Sequence, residues 1–131
     1  MASTKPRGRS KTARFTGIPH HVMDSANYRS IDGWGAKLLL DLAKQFNGYN
    51  NGDLSMAWSK MRDIGWRSKG TLNSAKDLLL KLGFIEITRQ GGRHRCSLFA
   101  LTWAPINECK GKLEVKPTGQ PSNLWKTPVQ N

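Results

Sequence analysis

The sequence predicts a mainly α-helical α+β domain that ends in a small antiparallel β-hairpin. Two observations carry this prediction. Between residues 30 and 83, apolar residues recur every three or four positions, which is the period of amphipathic helices. From Phe84 onward the pattern changes to period two around the Gly91–Gly92 pair, which is typical of two strands joined by a tight loop.

The first strong helix is predicted to begin after Ser30, because Ser is a good N-cap residue, with Asp32 in the first turn. Asn47–Gly48 is expected to end this helix. Upstream of it, His20–Tyr28 is expected to form a short helix or turn. The apolar face of the first strong helix consists of Ile31, Trp34, Leu38, Leu42 and Phe46.

Two further helices are predicted downstream. Leu54 is expected in a very short strand, after which Ser55 caps a helix over Met56–Ile64. A tight turn then leads to a third helix, which Ser68 caps and Gly83 ends as a C-terminal stop. The apolar face of the third helix is formed by Leu72, Ala75, Leu79 and Leu82.

The hairpin is predicted to pair Phe84–Arg89 with Cys96–Trp103 across a glycine-centred loop. Strand side chains point alternately to the two faces of a sheet. The alternation therefore predicts that Ile85 and Ile87 face the helices while Glu86 and Thr88 face water.

Basic residues outnumber acidic ones by 21 to 9, so the formal net charge of the 131-residue chain is +12. Residues 15–103 are predicted to form the folded domain, and residues 1–14 a disordered basic arm that lies along phosphates or in a minor groove. A solubilising tail is the alternative for this arm. Residues 104–131 contain four prolines and are predicted to be an extended tail, with Trp125 docked on its own domain or on a partner. The basic residues of the arm are Lys5, Arg7, Arg9, Lys11 and Arg14.

Two helices joined by a tight turn and followed by a glycine-tipped basic hairpin have the element order of a winged helix-turn-helix. Ser68-Lys-Gly-Thr-Leu72, followed by Ala75, Leu79 and Gly83-Phe-Ile85, resembles the recognition-helix-to-wing pattern of bacterial winged-helix regulators. Lys76 departs from that pattern, because these regulators usually carry a buried Leu there. Either Leu78 compensates for the change or the Lys stem reaches the surface.

The upstream part adds a second likeness. Phe15-x-x-Ile-Pro19, Leu38-Leu-Leu40 and the turn over residues 47–53 are similar to the N-terminal domain of phage replication protein O and to winged-helix proteins of mobile elements. The resemblance covers roughly residues 15–103. It implies a protein that binds double-stranded DNA sequence-specifically, as a transcription regulator or as a replication-origin-binding protein of a bacterium or mobile element.

The same resemblance implies which side chains contact DNA, because the second helix of such a motif enters the major groove with its N-terminal half. Asn pairs well with adenine and Lys with guanine, whereas Arg at a hairpin tip suits phosphate contact. Ordinary solvated side chains are the alternative interpretation. The base-reading candidates are Lys69, Thr71, Asn73 and Ser74. The backbone-contacting candidates are Arg67, Ser68, Lys76, Arg89, Arg93, His94 and Arg95.

Several classes of function are not expected. No phosphate-binding loop, dinucleotide-binding motif, HExxH or CxxC occurs and carboxylates are sparse, so we expect no enzyme, no cofactor and no metal site. Cys96 is expected to be a small buried strand residue. No apolar run of about 18 residues and no secretory signal occurs, so we expect no membrane contact and a cytoplasmic location in a bacterium or phage-infected host.

Double-stranded DNA is the expected partner, but other partners stay open. The main alternative is a phage-type protein-binding module, in which a winged-helix scaffold inhibits a host nucleic-acid-handling complex such as a defence system. A structural nucleic-acid coat also fits the charge. The sequence leaves open a homodimer formed through Leu80 or the C-terminal tail, and a protein partner bound by that tail.

Overall fold

The computed structural model describes residues 13–129. Within this range the chain is an α+β domain with four α-helices and a three-stranded antiparallel sheet, so the predicted α+β class is confirmed. None of the helices in this part of the chain has the length and apolar character needed to cross a membrane. The elements are α1 (His20–Met23), α2 (Gly33–Gln45), β1 (Leu54–Ser55), α3 (Trp58–Asp63), α4 (Lys69–Lys81), β2 (Ile85–Arg89) and β3 (Leu98–Leu101), with short 3-10 helices at Asn27–Ser30, Cys109–Gly111 and Leu124–Lys126.

The sheet has the strand order β1-β3-β2, which makes β3 the central strand. Leu54 of β1 pairs with Phe99, so the predicted very short strand at Leu54 is confirmed. On the other side of β3, Ile85 pairs with Leu101. The hairpin strands therefore form one sheet with a segment that precedes both α3 and α4 in the sequence.

Helices α2 and α4 pack against each other and supply much of the core. Leu38 and Leu42 of α2 and Leu79 of α4 are fully buried. Gly35 lies where the two helices come closest, because a Cβ at this position would be 3.2 Å from Cδ2 of Leu78 and 2.9 Å from Cγ2 of its own turn neighbour Ile31. The close approach of α4 explains a glycine in the first turn of α2.

Both ends of α4 form as the sequence predicts. The Ser68 hydroxyl accepts a hydrogen bond from the Thr71 amide at 3.0 Å, which satisfies one of the free N–H groups of the first turn. At the other end Gly83 has φ +82°, a left-handed conformation that favours glycine. A Cβ at Gly83 would also lie 2.5 Å from the Leu124 carbonyl oxygen, so two independent constraints require glycine there.

The starts of the other two helices differ from the prediction. Ser30 ends a 3-10 helix, and Asp32 is the N-cap of α2, with its carboxylate accepting from the Gly35 amide at 2.7 Å. Ser55 does not cap α3, because it pairs with Leu98 in the sheet. Helix α3 begins three residues later, at Trp58, without a side-chain cap.

The hairpin also departs from simple alternation. A bulge between Ile87 and Arg89 shifts the register, so Ile87 is 40% exposed and Thr88 is buried, the opposite of what was predicted. The Thr88 hydroxyl donates to the Gly52 carbonyl at 2.6 Å, which satisfies it in the interior. Cys96 is exposed rather than buried, because regular pairing of β3 begins only at Leu98.

The C-terminal segment, residues 104–129, has little regular structure but packs on the rest of the domain. Trp125 is 4% exposed and belongs to the core, so its expected docking on its own domain is confirmed. The side-chain amide nitrogen of the buried Asn27 lies 2.9–3.1 Å from the carbonyl oxygens of Leu82, Trp125 and Thr127, which share its two N–H donors. The folded unit therefore continues past residue 103, where the sequence placed its end.

A second buried asparagine fixes the beginning of the same segment. Asn51 is completely buried, and its side-chain amide nitrogen lies 2.9–3.0 Å from the carbonyl oxygens of Leu101, Ala104 and Pro105, which share its two N–H donors. Its amide oxygen accepts from the Leu101 N–H at 2.8 Å. Asn51 thus joins the turn before β1 to the chain that leaves β3.

Candidate nucleic-acid interface

Helix α4 turns a polar face outward. Leu72, Ala75 and Leu79 point inward and are buried. Lys69 and Asn73 are exposed on the opposite side. Of the four base-reading candidates, Lys69, Asn73 and Ser74 are exposed and Thr71 is half-buried.

A groove runs between α4 and the beginning of β3. Lys69, Asn73 and Lys76 line it from the helix, and Cys96 and Ser97 line it from the hairpin. Its apolar wall consists of Met56, Leu72 and Phe99. The groove therefore separates the outer face of α4 from the base of the hairpin, with the tip beyond Cys96. We use the name α4–hairpin surface for the exposed or half-buried basic and polar candidates on either side of this groove and at the tip, and define it by Arg67, Lys69, Asn73, Lys76, Arg93 and His94.

A second groove lies on the other side of α4, beside the first turn of α2. Trp34 is 45% exposed there, and its ring centroid is 5.2 Å from that of the buried Trp66. Trp34 is therefore not a core residue, although its spacing placed it on the apolar face of the helix. Thr71 and Ser74 line this second groove, whereas Lys69 and Asn73 line the first. The base-reading candidates thus occupy two flanks of the same helix.

Lys76 has the arrangement expected of a long basic side chain at a half-buried position. Its side chain is 29% exposed and its ammonium group lies 3.5 Å from the Asp77 carboxylate. Its stem lines the groove toward the hairpin. Leu78 packs toward Gly35, so it fills the contact between α2 and α4.

The hairpin tip is narrow and basic. The Gly92 amide donates to the Arg95 carbonyl at 2.9 Å, and the exposed residues Arg93 and His94 lie between them. A Cβ at Gly91 would lie 2.5 Å from the Ser97 amide nitrogen, so the two sides of the hairpin approach too closely for any other residue. The geometry places Arg93 and His94 at the outermost point of the hairpin.

The four basic candidates of the hairpin are not equivalent. Arg89 donates to the Cys96 carbonyl at 2.9 Å, and Arg95 forms an ion pair with Glu114 at 2.6 Å. Among the ion pairs within residues 13–129, none involves Arg93 or His94. Arg89 and Arg95 therefore stabilise the hairpin, and Arg93 and His94 remain available to a ligand.

Sequence reasoning missed Glu114, which the C-terminal segment brings to the hairpin. Its carboxylate accepts from the Gln90 amide at 2.9 Å as well as from Arg95. The Gln90 amide and the positive charge of Arg95 hold the pKa of Glu114 below its ordinary value. No local pattern could reveal this contact, because Glu114 lies 24 residues from Gln90 in the sequence.

The remaining DNA-contact candidates lie in the turn before α4 and in the N-terminal basic arm. Arg67 is exposed in the turn that precedes α4. Ser68 is already engaged as the N-cap, where its oxygen is an acceptor and its hydroxyl proton can still be donated. Arg14 is exposed beside Phe15. The other basic residues of the arm lie outside the described residues: Lys5, Arg7, Arg9 and Lys11.

The cysteines and acidic residues form no obvious chemical centre. In the described range, no three His, Cys, Asp or Glu side chains come together as a potential metal site. Cys96 and Cys109 are free thiols. Burial, and next the negative charge of Asp53, raise the pKa of the Cys109 thiol, which disfavours its reactive thiolate form.

Comparison of the chain with family models, with curated proteins and with solved structures finds no match. The α4–hairpin surface therefore carries the functional inference.

Proposed function

We propose that this protein is a winged helix-turn-helix protein that binds double-stranded DNA sequence-specifically through the α4–hairpin surface. Its role would be transcription regulation or recognition of a replication origin. The order α2-β1-α3-α4-β2-β3 and the sheet order β1-β3-β2 support this assignment, because a short turn joins α3 to α4 and the β2–β3 hairpin follows α4, as a winged helix-turn-helix requires.

The single observation that carries the proposal is that the polar face of α4 borders the base of the basic hairpin across one groove. Lys69 and Asn73 are one helical turn apart and border the same groove as Cys96 and Ser97, which lie just before β3. Lys and Asn are side chains that can pair with guanine and adenine edges in the major groove. A basic tip at Arg93 and His94 suits the flanking phosphates or a narrow minor groove.

The charge of the chain fits this role. A net charge of +12 on 131 residues favours a polyanionic partner. Each phosphate neutralised by Lys or Arg contributes a slope of about −0.9 to the dependence of log K on log salt concentration. Binding should therefore weaken steeply as salt rises, and Arg93→Ala should make that slope shallower by about one.

The proposal is tested by selecting bound duplexes from a random DNA pool at near-physiological salt and sequencing them. We expect an enriched motif. On the selected duplex, Lys69→Ala and Asn73→Ala should each relax preference at single base positions by about 1–3 kcal/mol. Lys81→Ala is the matched control for Lys69→Ala, because it removes the same charge from the same helix about 18 Å away.

The control separates base contacts from general electrostatics. Lys81→Ala should weaken binding slightly and equally for all sequences. An unchanged base preference in both Lys69→Ala and Asn73→Ala would contradict the placement of α4 in the major groove. Selection that yields only unspecific, salt-sensitive binding would contradict sequence-specific recognition itself.

A protein-binding module is the second candidate. The observation that favours it is the exposure of three large apolar side chains: Phe15 is 86%, Tyr49 84% and Leu40 50% exposed. Exposed apolar side chains mark a contact surface where they form one contiguous patch. Phe15→Ala together with Tyr49→Ala should leave duplex selection unchanged if DNA is the partner, but should abolish association with a host nucleic-acid-handling complex.

A further inference from the structure

We propose that Glu114 is a positioning residue, which holds the β2–β3 hairpin tip in the conformation that contacts DNA. The structural part of this inference concerns the free protein, and its DNA-binding part rests on the proposed function. Glu114 itself does not touch the ligand in this proposal. It acts through Gln90 and Arg95, which lie at the two sides of the tip.

Glu114 contacts the hairpin at three points. Its own amide donates to the Thr88 carbonyl at 2.8 Å. One carboxylate oxygen accepts from the backbone N–H of Gln90 at 2.9 Å, and the other accepts from the Arg95 guanidinium at 2.6 Å. The residue therefore joins the end of β2 to the returning side of the hairpin.

The tip has few other means of support. Arg89 and Leu98 form the last regular pair of β2 with β3, so residues 90–97 lie outside the regular ladder. The residues from Arg93 to Cys96 are all exposed. A segment with few buried apolar contacts opens locally at low free-energy cost. The contacts within the tip are polar: Gly92 to Arg95, Gly91 to the Ser97 hydroxyl, and Arg89 to the Cys96 carbonyl.

Glu114 can support the tip because its neighbours are fixed. Leu113 packs directly over Gly52, with its Cδ1 only 2.6 Å from where a Cβ on Gly52 would be. Lys112 forms an ion pair with Asp53 at 2.9 Å. The segment is thus attached to the turn before β1, so Glu114 couples the hairpin tip to that turn. Its amide also covers the free edge of β2, which is the outer strand of the sheet.

The sign of the charge makes the role of Glu114 testable. A carboxylate close to a phosphate-binding surface repels DNA, so its removal should strengthen binding if Glu114 had no structural role. If Glu114 positions the tip, removal of its carboxylate should instead weaken DNA binding. The lowered pKa of Glu114 agrees with the structural role, because the Gln90 amide and Arg95 both favour the ionised form.

The experiment compares Glu114→Ala with Glu108→Ala. Both variants lose one negative charge. Glu108 is the control because it is exposed in the same segment but forms no ion pair with another described residue. Hydrogen exchange is measured in the free protein at the Gln90, Gly91 and Gly92 amides, with the Leu101 amide reporting the core. Affinity is measured on the duplex selected by the wild-type protein.

We expect Glu114→Ala to accelerate exchange at the tip by about three- to tenfold, the range that corresponds to the loss of one hydrogen bond, with the Leu101 amide unchanged. We expect its affinity for the duplex to fall at least about threefold on the same basis, although it carries one more net positive charge. Glu108→Ala should exchange like the wild type and bind equally or slightly more tightly. Glu114→Gln should lie between, because its amide oxygen can still accept from Gln90.

Two results would overturn the proposal. Wild-type exchange at the tip in Glu114→Ala would show that the residue holds nothing in place. Faster exchange together with equal or tighter duplex binding would show that the ordered tip does not contribute to binding. If the wild-type protein selects no duplex, the proposed function fails, whereas the exchange comparison alone still supports or overturns the structural role of Glu114.

Discussion

The contact between helices α2 and α4 and the tip of the hairpin are stabilised in different ways. Leu38, Leu42 and Leu79 pack in a fully buried apolar contact between the helices. The tip, in contrast, is held by polar contacts among exposed residues, including an ion pair between Arg95 and Glu114. Electrostatic screening by salt weakens exposed ion pairs but not apolar packing, and pH acts directly on the ion pairs alone. The orientation of α4 and the order of the tip should therefore be separable in experiments.

The largest effect should come from the helix contact. Leu79→Ala removes a fully buried side chain and should lower the free energy of unfolding by about 2–5 kcal/mol, through lost burial and the cavity left behind. Urea denaturation measures this change. Leu40→Ala on α2 is the control, because Leu40 is 50% exposed and should cost well under half as much. Equal losses in the two variants would contradict the described packing of α2 and α4.

An intermediate effect is expected at the start of α4. Ser68→Ala removes the acceptor of the Thr71 amide and should lower the free energy of unfolding by about 1 kcal/mol. Ser74→Ala on the same helix is the control. Ser74 is exposed in the helix interior, where alanine is slightly preferred, so this variant should be neutral or slightly more stable. A loss in Ser74→Ala as large as that in Ser68→Ala would argue against the capping role.

The smallest effect concerns the tip and its dependence on pH. The pKa of Glu114 is lowered in the folded protein, so the contribution of its carboxylate is complete above the ordinary value of 4.5 and is lost as pH falls through the lower folded value. The chemical shift of the Gln90 amide should therefore titrate with a midpoint below 4.5. Arg95 and Arg89 are the charged groups that contribute to this shift.

Glu114→Gln provides the control for this titration, because it cannot ionise at position 114. The inflection at the Gln90 amide should disappear in this variant. An inflection that persists, or a wild-type midpoint above 4.5, would assign the titration to another group.

Local signals in the sequence predicted the parts of the fold that depend on local chemistry. The Ser68 cap, the Gly83 stop and the strand at Leu54 each follow from a residue and its immediate neighbours. Ser30 failed as a cap because the 3-10 helix Asn27–Ser30 precedes α2, so that the cap is the later Asp32. Both residues are good caps by type, and only tertiary structure selects between them.

The remaining errors come from contacts over long distances in the sequence. Alternation failed at Ile87 and Thr88, because the bulge turned Thr88 inward to the Gly52 carbonyl, 36 residues away. In the candidate site too, the residue that the sequence did not reveal depends on a contact between distant parts of the chain. Lys69 and Asn73 could be found from helix periodicity, but the contact of Glu114 with the hairpin depends on a chain segment that no pattern places beside it.

The burial of Trp125 constrains how the domain reaches its native state. This residue belongs to the core, and the Leu124 carbonyl lies against Gly83. Asn27 bonds to the Trp125 carbonyl across 98 residues, so completing the core requires closure of a very long loop. During synthesis the first 103 residues emerge with the Trp125 site on the core still open, and the domain can close only after residue 125 has left the ribosome. A fragment cut at residue 103 would keep that apolar surface exposed permanently and would be prone to self-association.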